Sequence, residues 1–385
     1  MTEKTNFDFI ALDLTDAFVI SDIHLGVRNN SLSWQENIKD YFDSFFIPLI
    51  KKNKTKDSFV LILGDVFDDR KSISIDTLNL TIDILDKVSE VLPVYIIIGN
   101  HDMFKRYDNN INSLKVFERH KYVHVIKTPT VICSAIDPEH DLMNYALLLP
   151  HQGDIQKESK IIQDFLDDYG SSDKESPNLI FTHTDIAGLK YDNNKNINTG
   201  VVLKKNANVK IYSGHIHKRQ ETSKVTYVGS PYHLRRSDIG NDKGVYRINF
   251  LKPKDKPKFF KNNYSPIFQR CFYDAIIDLT IKDLKKILKN NYTDIIINES
   301  DLRTLNVNDL FVSLNSCEAK RIEIIVNKNL ESSLENNDEK YQEISLNELI
   351  ENNIDRMNIS PGTKKKIKDL FNYYNTLANQ EFNEE

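Results

Sequence analysis

The chain is poor in the residues that would mark it as a secreted, thiolate-bound or membrane protein. It has three cysteines, Cys133, Cys271 and Cys317. They are far apart and form no Cys-x-x-Cys pair, which excludes a disulfide framework and a thiolate zinc site. A reducing, cytoplasmic setting is expected. No apolar run approaches the ~18 residues that a membrane span needs. The N-terminus carries acidic residues and no long apolar core, so no signal peptide is expected. No internal repeat is visible. A strong charge of either sign is also missing. The formal net charge is -5, so nothing global points to a polyanion as partner. With 385 residues and 40% hydrophobic side chains, the chain can build two or three domains with sizeable cores.

What the sequence does contain is a repeated design in which a short apolar run leads into a polar loop of carboxylates and imidazoles. FVLILGDVFDDR, residues 59–70, is the clearest case. Phe59 to Leu63 reads as a strand buried on both faces, and it delivers Asp65 at its C-terminal end, the edge where ligands bind in open α/β sheets. AFVISDIHLG (17–26) ends in Asp22 and His24, and VLPVYIIIGNHD (91–102) ends in Asn100, His101 and Asp102. NLIFTHT (178–184) supplies His183, and VKIYSGHIH (209–217) supplies His215 and His217. In Asp-x-His, side chains two apart share one side of an extended backbone. Helices are expected over 33–52 and near 74–90, the latter with Ile75, Leu78, Ile82, Leu85 and Val88 on one face. Strands alternating with helices imply a layered α/β domain.

Any one of these histidines is most simply a structural residue at a strand end, and GNHD alone is a plausible turn. Five clusters, each directly after an apolar run, are a different matter. Half of the ten histidines fall in them. His120, His124, His140, His151 and His233 are taken as ordinary packing or surface residues, His233 standing close to the Gly-Ser-Pro turn. Carboxylate, imidazole and one amide form a mixed ligand set that suits Mn²⁺, Fe²⁺ or Zn²⁺ better than Ca²⁺.

Downstream, LKPKDKPKFFK (251–261) reads as a linker or a basic edge. Residues 270–328 alternate strand and helix as a small second module. Residues 331–356 are acidic, and two amphipathic helices follow or overlap them, the first opened by Ser345 and Glu348 in capping-box spacing, the second by Ser360-Pro361.

The ordered set DIH, GD, GNHD, H, GHIH resembles the calcineurin-like metallophosphoesterase superfamily. Within it, SDIHLG, GDVFDDR, IGNHD, GHIHK and YVGSP are similar to the SbcD-type nucleases, which include the phage recombination endonuclease subunit and the cellular double-strand-break repair nuclease. The motifs cover about residues 17–240. The resemblance implies an α/β fold, a layered metallophosphoesterase sandwich over 1–245, a small α/β capping and DNA-binding domain over 246–330, and an acidic linker with a C-terminal helical hairpin over 331–385 that binds an ATPase partner. It implies two Mn²⁺ ions, with Mg²⁺ or another divalent ion as substitutes. One site would be Asp22, His24, Asp65 and His217, the other Asp65, Asn100, His183 and His215, with Asp65 shared. Two ions ~3.5–4 Å apart can clamp a phosphodiester and activate water. His101 would face the scissile phosphate as proton donor, with Asp102 as a loosely assigned orienting group. Many members of the family carry a histidine after GD-x-F, where this chain has Asp68 and Asp69.

The implied activity is Mn-dependent DNA cleavage, as a 3′–5′ exonuclease on duplexes and an endonuclease on single strands. The implied partners are DNA, an SMC-like coiled-coil ATPase of SbcC type, and a second copy of the chain in a homodimer, with no membrane. Lys204, Lys205, Lys210, Lys218, Arg219, Arg235, Arg236 and the 252–261 lysines are candidates for phosphate contact, or simply a solvated basic surface. Two other classes stay open: a phosphoesterase acting on small phosphomonoesters or cyclic nucleotides, and a scaffold without catalysis. The latter would require missing ligands, and none is missing.

Overall fold

A computed structural model describes residues 4–11, 15–137, 142–170, 177–204, 207–299, 301–303, 307–327, 362 and 364–369. The chain divides into two compact units, Met1–Pro266 and Ile267–Glu385. The first unit runs past residue 245 because the chain there is still adding strands to its sheet.

In chain order the strands of the first unit are β1 (Asp8–Ala11), β2 (Asp16–Ile20), β3 (Ser58–Ile62), β4 (Val94–Ile97), β5 (Met103–Lys105), β6 (Asp108–Asn112), β7 (Val123–Ile126), β8 (Thr130–Asp137), β9 (Leu142–Leu149), β10 (Asn178–Thr182), β11 (Val209–Ser213), β12 (Gln220–Glu221), β13 (Val225–Tyr227), β14 (Gly244–Asn249) and β15 (Lys258–Lys261). They form a six-stranded sheet, β15-β14-β2-β3-β4-β7, and a seven-stranded sheet, β1-β8-β9-β10-β11-β13-β12. β5 and β6 pair as a separate hairpin, which the apolar pattern did not announce. β2, β3, β4 and β7 run parallel, as do β9, β10, β11 and β13. β14 joins β2 antiparallel, and the basic segment closes that sheet as edge strand β15. Lysines along an exposed edge discourage pairing with another chain.

The inner faces of the sheets meet in one core. Val19, Leu61 and Tyr95 come from one side, and Leu148, Phe181 and Tyr212 from the other. The alternate residues face outward and are buried too. Leu147, Ile180 and Ile211 share a cluster with Ile161, Ile162 and Phe165 of helix Ile155–Tyr169. That double burial explains the unbroken apolar runs in the sequence. Phe59 to Leu63 are at most 1% exposed.

Two helical expectations need correction. Helix Ile75–Ser89 forms, capped by the Ser74 side chain, which accepts from the Thr77 N–H. Its buried stripe, however, is Thr77, Thr81, Ile84, Leu85 and Val88, and Ile75 is 76% exposed. Two threonines, invisible to an apolar count, occupy the inner face. The 33–52 helix is helical throughout but contains a π turn, Phe42–Phe46. Pro48 follows it and has no N–H to give Ser44. The Ile47 N–H bonds instead to the Phe42 carbonyl, five residues back, the kind of local widening a proline imposes.

The second unit holds the expected alternation: β16 (Phe268–Phe272), helix Ile281–Leu288, β17 (Tyr292–Asn298), helix Val307–Asn315 and β18 (Arg321–Asn327). The strands are parallel, in the order β16-β17-β18, over a core that includes Leu284, Leu288, Ile295, Ile297 and Leu314. The capping box at Ser345 and the start of a helix at Ser360-Pro361 lie outside the described residues. Among the described residues no helix is long and apolar enough to cross a membrane.

Candidate metal centre

Every residue singled out for chemistry lies just beyond the C-terminal end of a parallel strand. Asp22 and His24 follow β2, Asp65 follows β3, and Asn100 and His101 follow β4. His183 follows β10, and His215 and His217 follow β11. Two sheets facing each other bring these ends together, as the rule for open α/β sheets requires.

The local backbone is not the extended one that the Asp-x-His spacing suggests. Asp22 (φ 54°), His24 (φ 51°), Asp65 (φ 53°) and His215 (φ 82°) are all left-handed. The side chains converge because the loops curl, and the pleat has no part in it. Left-handed φ at a non-glycine residue is uncommon and is concentrated at sites where surrounding structure holds it. Gly64 (φ 86°) makes the curl possible. A Cβ there would lie 2.7 Å from both the Gly99 Cα and His183 Nδ1.

Among the described residues three groups of ligand-type atoms result; one joins His24 to Asp68 and His101, and the other two match the expected sites. In the first of these two, His24 Nε2 and His217 Nε2 are 3.0 Å apart, and Asp22 Oδ1 is 3.9 Å from His217 Nε2. Asp22 is fully buried, and its Oδ2 has no hydrogen-bond partner. In the second, Asp65 Oδ2 is 3.2 Å from His183 Nε2, and Asn100 Oδ1 is 3.0 Å from His183 Nε2 and 2.7 Å from His215 Nδ1. Asp65 Oδ2 also lies 3.9 Å from His24 Nε2, so it stands between the groups.

The outer ring atoms fix which ring nitrogens point inward. His183 Nδ1 donates to the Leu63 carbonyl at 2.6 Å, and a carbonyl only accepts, so Nε2 is the nitrogen that faces Asp65 and would give up its proton to a metal ion. His215 turns its Nε2 toward Asp185 Oδ1 at 3.5 Å and keeps Nδ1 at Asn100. His24 Nδ1 lies 3.0 Å from Asp68 Oδ1, off the line of a good hydrogen bond. His101 Nδ1 donates to the Asp68 carbonyl at 2.5 Å. Asp68 thus touches both His24 and His101.

Asp102 has a different role from the one assigned to it. It does not orient His101. Its carboxylate is fully buried and accepts the N–H groups of Asp65 (2.9 Å), Gly99 (3.0 Å), Val66 (3.0 Å) and Phe67 (3.3 Å). It ties the β3 and β4 loops into one piece. His151 is also misjudged by motif reading. Its Nδ1 donates to the His183 carbonyl at 3.0 Å, and it lines a cavity of about 320 Å³ beside Asn100 and His215. No motif points to it: it enters from the end of β9, outside the five clusters. Among the basic candidates, Arg235 donates to His217 Nδ1 at 2.7 Å, and Arg219 pairs with Glu221. His233 is buried apart from both groups.

The electrostatics favour a cation. Burial works against charge on His183, yet the Asp65 carboxylate beside it pulls its pKa up to about 10. Burial resists charge on Asp65 too, but His183 holds its carboxyl well below the usual range. Burial and the neighbouring His183 push His215 down to about 3, and burial and His24 depress His217. His215 and His217 are thus neutral imidazoles at neutral pH, the form that a metal ion binds. Converging imidazoles, an ionised carboxylate, an amide oxygen and an orphaned buried carboxylate oxygen fit divalent metal ions.

Residues 17–219, more than half of the chain, match the calcineurin-like phosphoesterase family. Among curated proteins, the chain is 36% identical over 88 residues to the DNA double-strand break repair protein Mre11 of Methanocaldococcus jannaschii, a match that covers 23% of each chain. It is 24% identical over 252 residues to Exonuclease subunit 1 of Enterobacteria phage T4, covering 63% of this chain and 67% of that one. The aligned segment therefore spans under a quarter of the archaeal relative and about two thirds of the phage one. With this ligand geometry at the strand ends, the chain belongs to the calcineurin-like phosphoesterase family of metal-dependent hydrolases.

Proposed function

We propose that this chain is a DNA nuclease that cleaves phosphodiesters with two Mn²⁺ ions, as a 3′–5′ exonuclease on duplexes and an endonuclease on single strands. The observation that carries the reading is the pair of converging groups with Asp65 Oδ2 between them, 3.2 Å from His183 and 3.9 Å from His24. Asp22, His24, Asp65 and His217 would hold one ion, and Asp65, Asn100, His183 and His215 the other. Such a pair, when bound, supplies Lewis-acid stabilisation of phosphate oxygens and an acidified water. The chain's own groups do the rest. Asp102 keeps the Asp65 and Asn100 loops in register. The Asp68 carbonyl holds the Nδ1–H of His101 and leaves Nε2 free, so that the doubly protonated ring can pass its Nε2 proton to the leaving oxygen and keep the Nδ1 one. The DNA assignment is supported by what the relatives are called, a double-strand break repair protein and an exonuclease subunit.

The second unit serves in this reading as a capping and DNA-binding module, and residues 331–385 as the contact for an SbcC-type coiled-coil ATPase, with the nuclease units paired as a homodimer. The deciding experiment incubates the chain with labelled duplex, single-stranded DNA and p-nitrophenyl phosphate in Mn²⁺. Cleavage of DNA in preference to the small ester supports the reading, and the reverse preference identifies a phosphomonoesterase. Capture of a coiled-coil ATPase by the full chain, lost on ending the chain near residue 340, tests the partner.

A further inference from the structure

The cavity of about 320 Å³ is lined by Arg70, Arg106, His151, Glu158 and Asp185, and it reaches Asn100 and His215. Neither guanidinium has an ion-pair or hydrogen-bond partner among the described residues; Arg106 only lies over the Tyr107 ring, 5.4 Å from its centroid. Glu158 accepts from the Gln152 N–H (2.8 Å) and the Thr184 hydroxyl. Asp185 accepts from the Tyr191 hydroxyl through Oδ2 (3.2 Å), while its Oδ1, which has no hydrogen-bond partner, faces His215 Nε2 at 3.5 Å. The unspent donors of the cavity are the two guanidinium groups, fork-shaped and suited to phosphate. The hairpin that carries Arg106 is held against the 151–154 loop. A Cβ at Gly153 would lie 2.1 Å from the Arg106 carbonyl oxygen, so the position of Arg106 is built in.

His151 adds the second half of the recognition. Its Nδ1–H is spent on the His183 carbonyl, which leaves Nε2 as an acceptor. A bare phosphate at neutral pH has little to give an acceptor, whereas a sugar hydroxyl or a base amine does. The volume sits at the low end of the 300–1,000 Å³ typical of small-ligand sites, which suits a single nucleotide and excludes a duplex. We propose that this cavity is a nucleotide subsite: it takes the nucleoside 5′-phosphate unit next to the cleaved bond, with Arg70 and Arg106 on the phosphate and His151 on the sugar or base. This rests on the DNA reading above. It adds that a duplex end must fray by at least one nucleotide to be cut.

The test uses the full chain and thymidine 5′-monophosphate, which contains no diester bond and so is not a substrate of the proposed reaction; release of inorganic phosphate is followed alongside, and its appearance would identify a phosphomonoesterase. Calorimetric titration of the nucleotide, of thymidine and of inorganic phosphate should show the nucleotide binding at least about tenfold tighter than either fragment. Arg70→Glu with Arg106→Glu, both away from the core, should weaken the nucleotide about tenfold or more at unchanged melting temperature and metal content. Phosphate binding as tightly as the nucleotide, or a double variant of wild-type affinity, overturns the subsite. Failure of the DNA reading would show separately, as a wild-type chain that leaves all DNA substrates intact.

Discussion

The two ligand groups are built from the same residue types yet sit in different surroundings. Asp22, His24 and His217 are all buried, and Arg235 and the buried Lys243 close in behind: Lys243 Nζ donates to the His217 carbonyl and to Asp238. Asp65 and His183 are as deeply buried, but the side chain of His215 is 26% exposed and faces the arginine-lined cavity. One group is sealed and the other has a door. In the proposed reading, the sealed group holds its ion as a fixed electrostatic element, and the open one meets the substrate.

Breaking what the two groups share should have the largest effect. Asp65→Ala should take cleavage to background and lower bound Mn²⁺ at both positions, measured by elemental analysis. Full metal occupancy in this variant would sink the shared role.

Next comes a residue that touches both sides without holding either ion. His24 and His101 rings meet edge to face at 4.9 Å, yet His101 is fixed by the Asp68 carbonyl. His101→Ala should cost on the order of 10²–10⁴ in rate, the size of a general-acid contribution, with metal content near wild type. Loss of metal would instead make His101 a ligand.

Asp185 sharpens the contrast between the groups. It faces His215 Nε2 at 3.5 Å, the position from which a carboxylate orients a ligating imidazole. Asp185→Asn should lower affinity at the open site by roughly 10–100-fold and leave the sealed site filled. Isothermal titration should then resolve one strong and one weak ion. Equal weakening of both would remove the distinction.

Much of this was legible in the chain. Buried strands announce themselves as apolar runs, and polar loops after them mark the edge where sites form. The eight residues chosen from the motifs do come together. What was not legible is what local periodicity does not carry. The left-handed turns at Asp22, His24, Asp65 and His215 depend on neighbouring loops holding them. Asp102 looks like one more ligand in GNHD, but three of its four backbone bonds reach back to the Asp65–Phe67 loop. His151 stands in no motif at all, and Thr77 and Thr81 hide a helix's inner face from a count of apolar residues. In each case the missing information is a long-range contact. The second unit makes the complementary point. It repeats the strand-helix alternation, but two of its strands end in Asn298 and Asn327, and it brings no metal-type group together among the described residues. Fold and site are separate inheritances.

The smallest expected effect concerns a histidine in neither group. His233 is buried beside the loop that carries Arg235, and burial, helped by Lys243, pushes its pKa down to about 4 from an ordinary value of 6.5. The folded chain thus keeps it neutral in a window where the unfolded chain protonates it. Between pH 6.5 and 4 the unfolded state binds more protons, so stability rises with pH across that window. The contribution is fully present above 6.5, is lost progressively on acidification, and stops changing below about 4, where both states are charged. Lowering a pKa by one pH unit corresponds to about 1.4 kcal/mol, so the loss is on the order of 3–4 kcal/mol at most. Other histidines near the ligand groups titrate as well, so the informative quantity is a difference. Urea midpoints of the wild type and His233→Gln, each measured with a chelator at about pH 7 and about pH 5, should converge as the pH falls, because the glutamine variant loses less. Parallel pH dependence in the two proteins would show that His233 takes no part in acid destabilisation, and would leave that effect with the imidazoles of the two ligand groups.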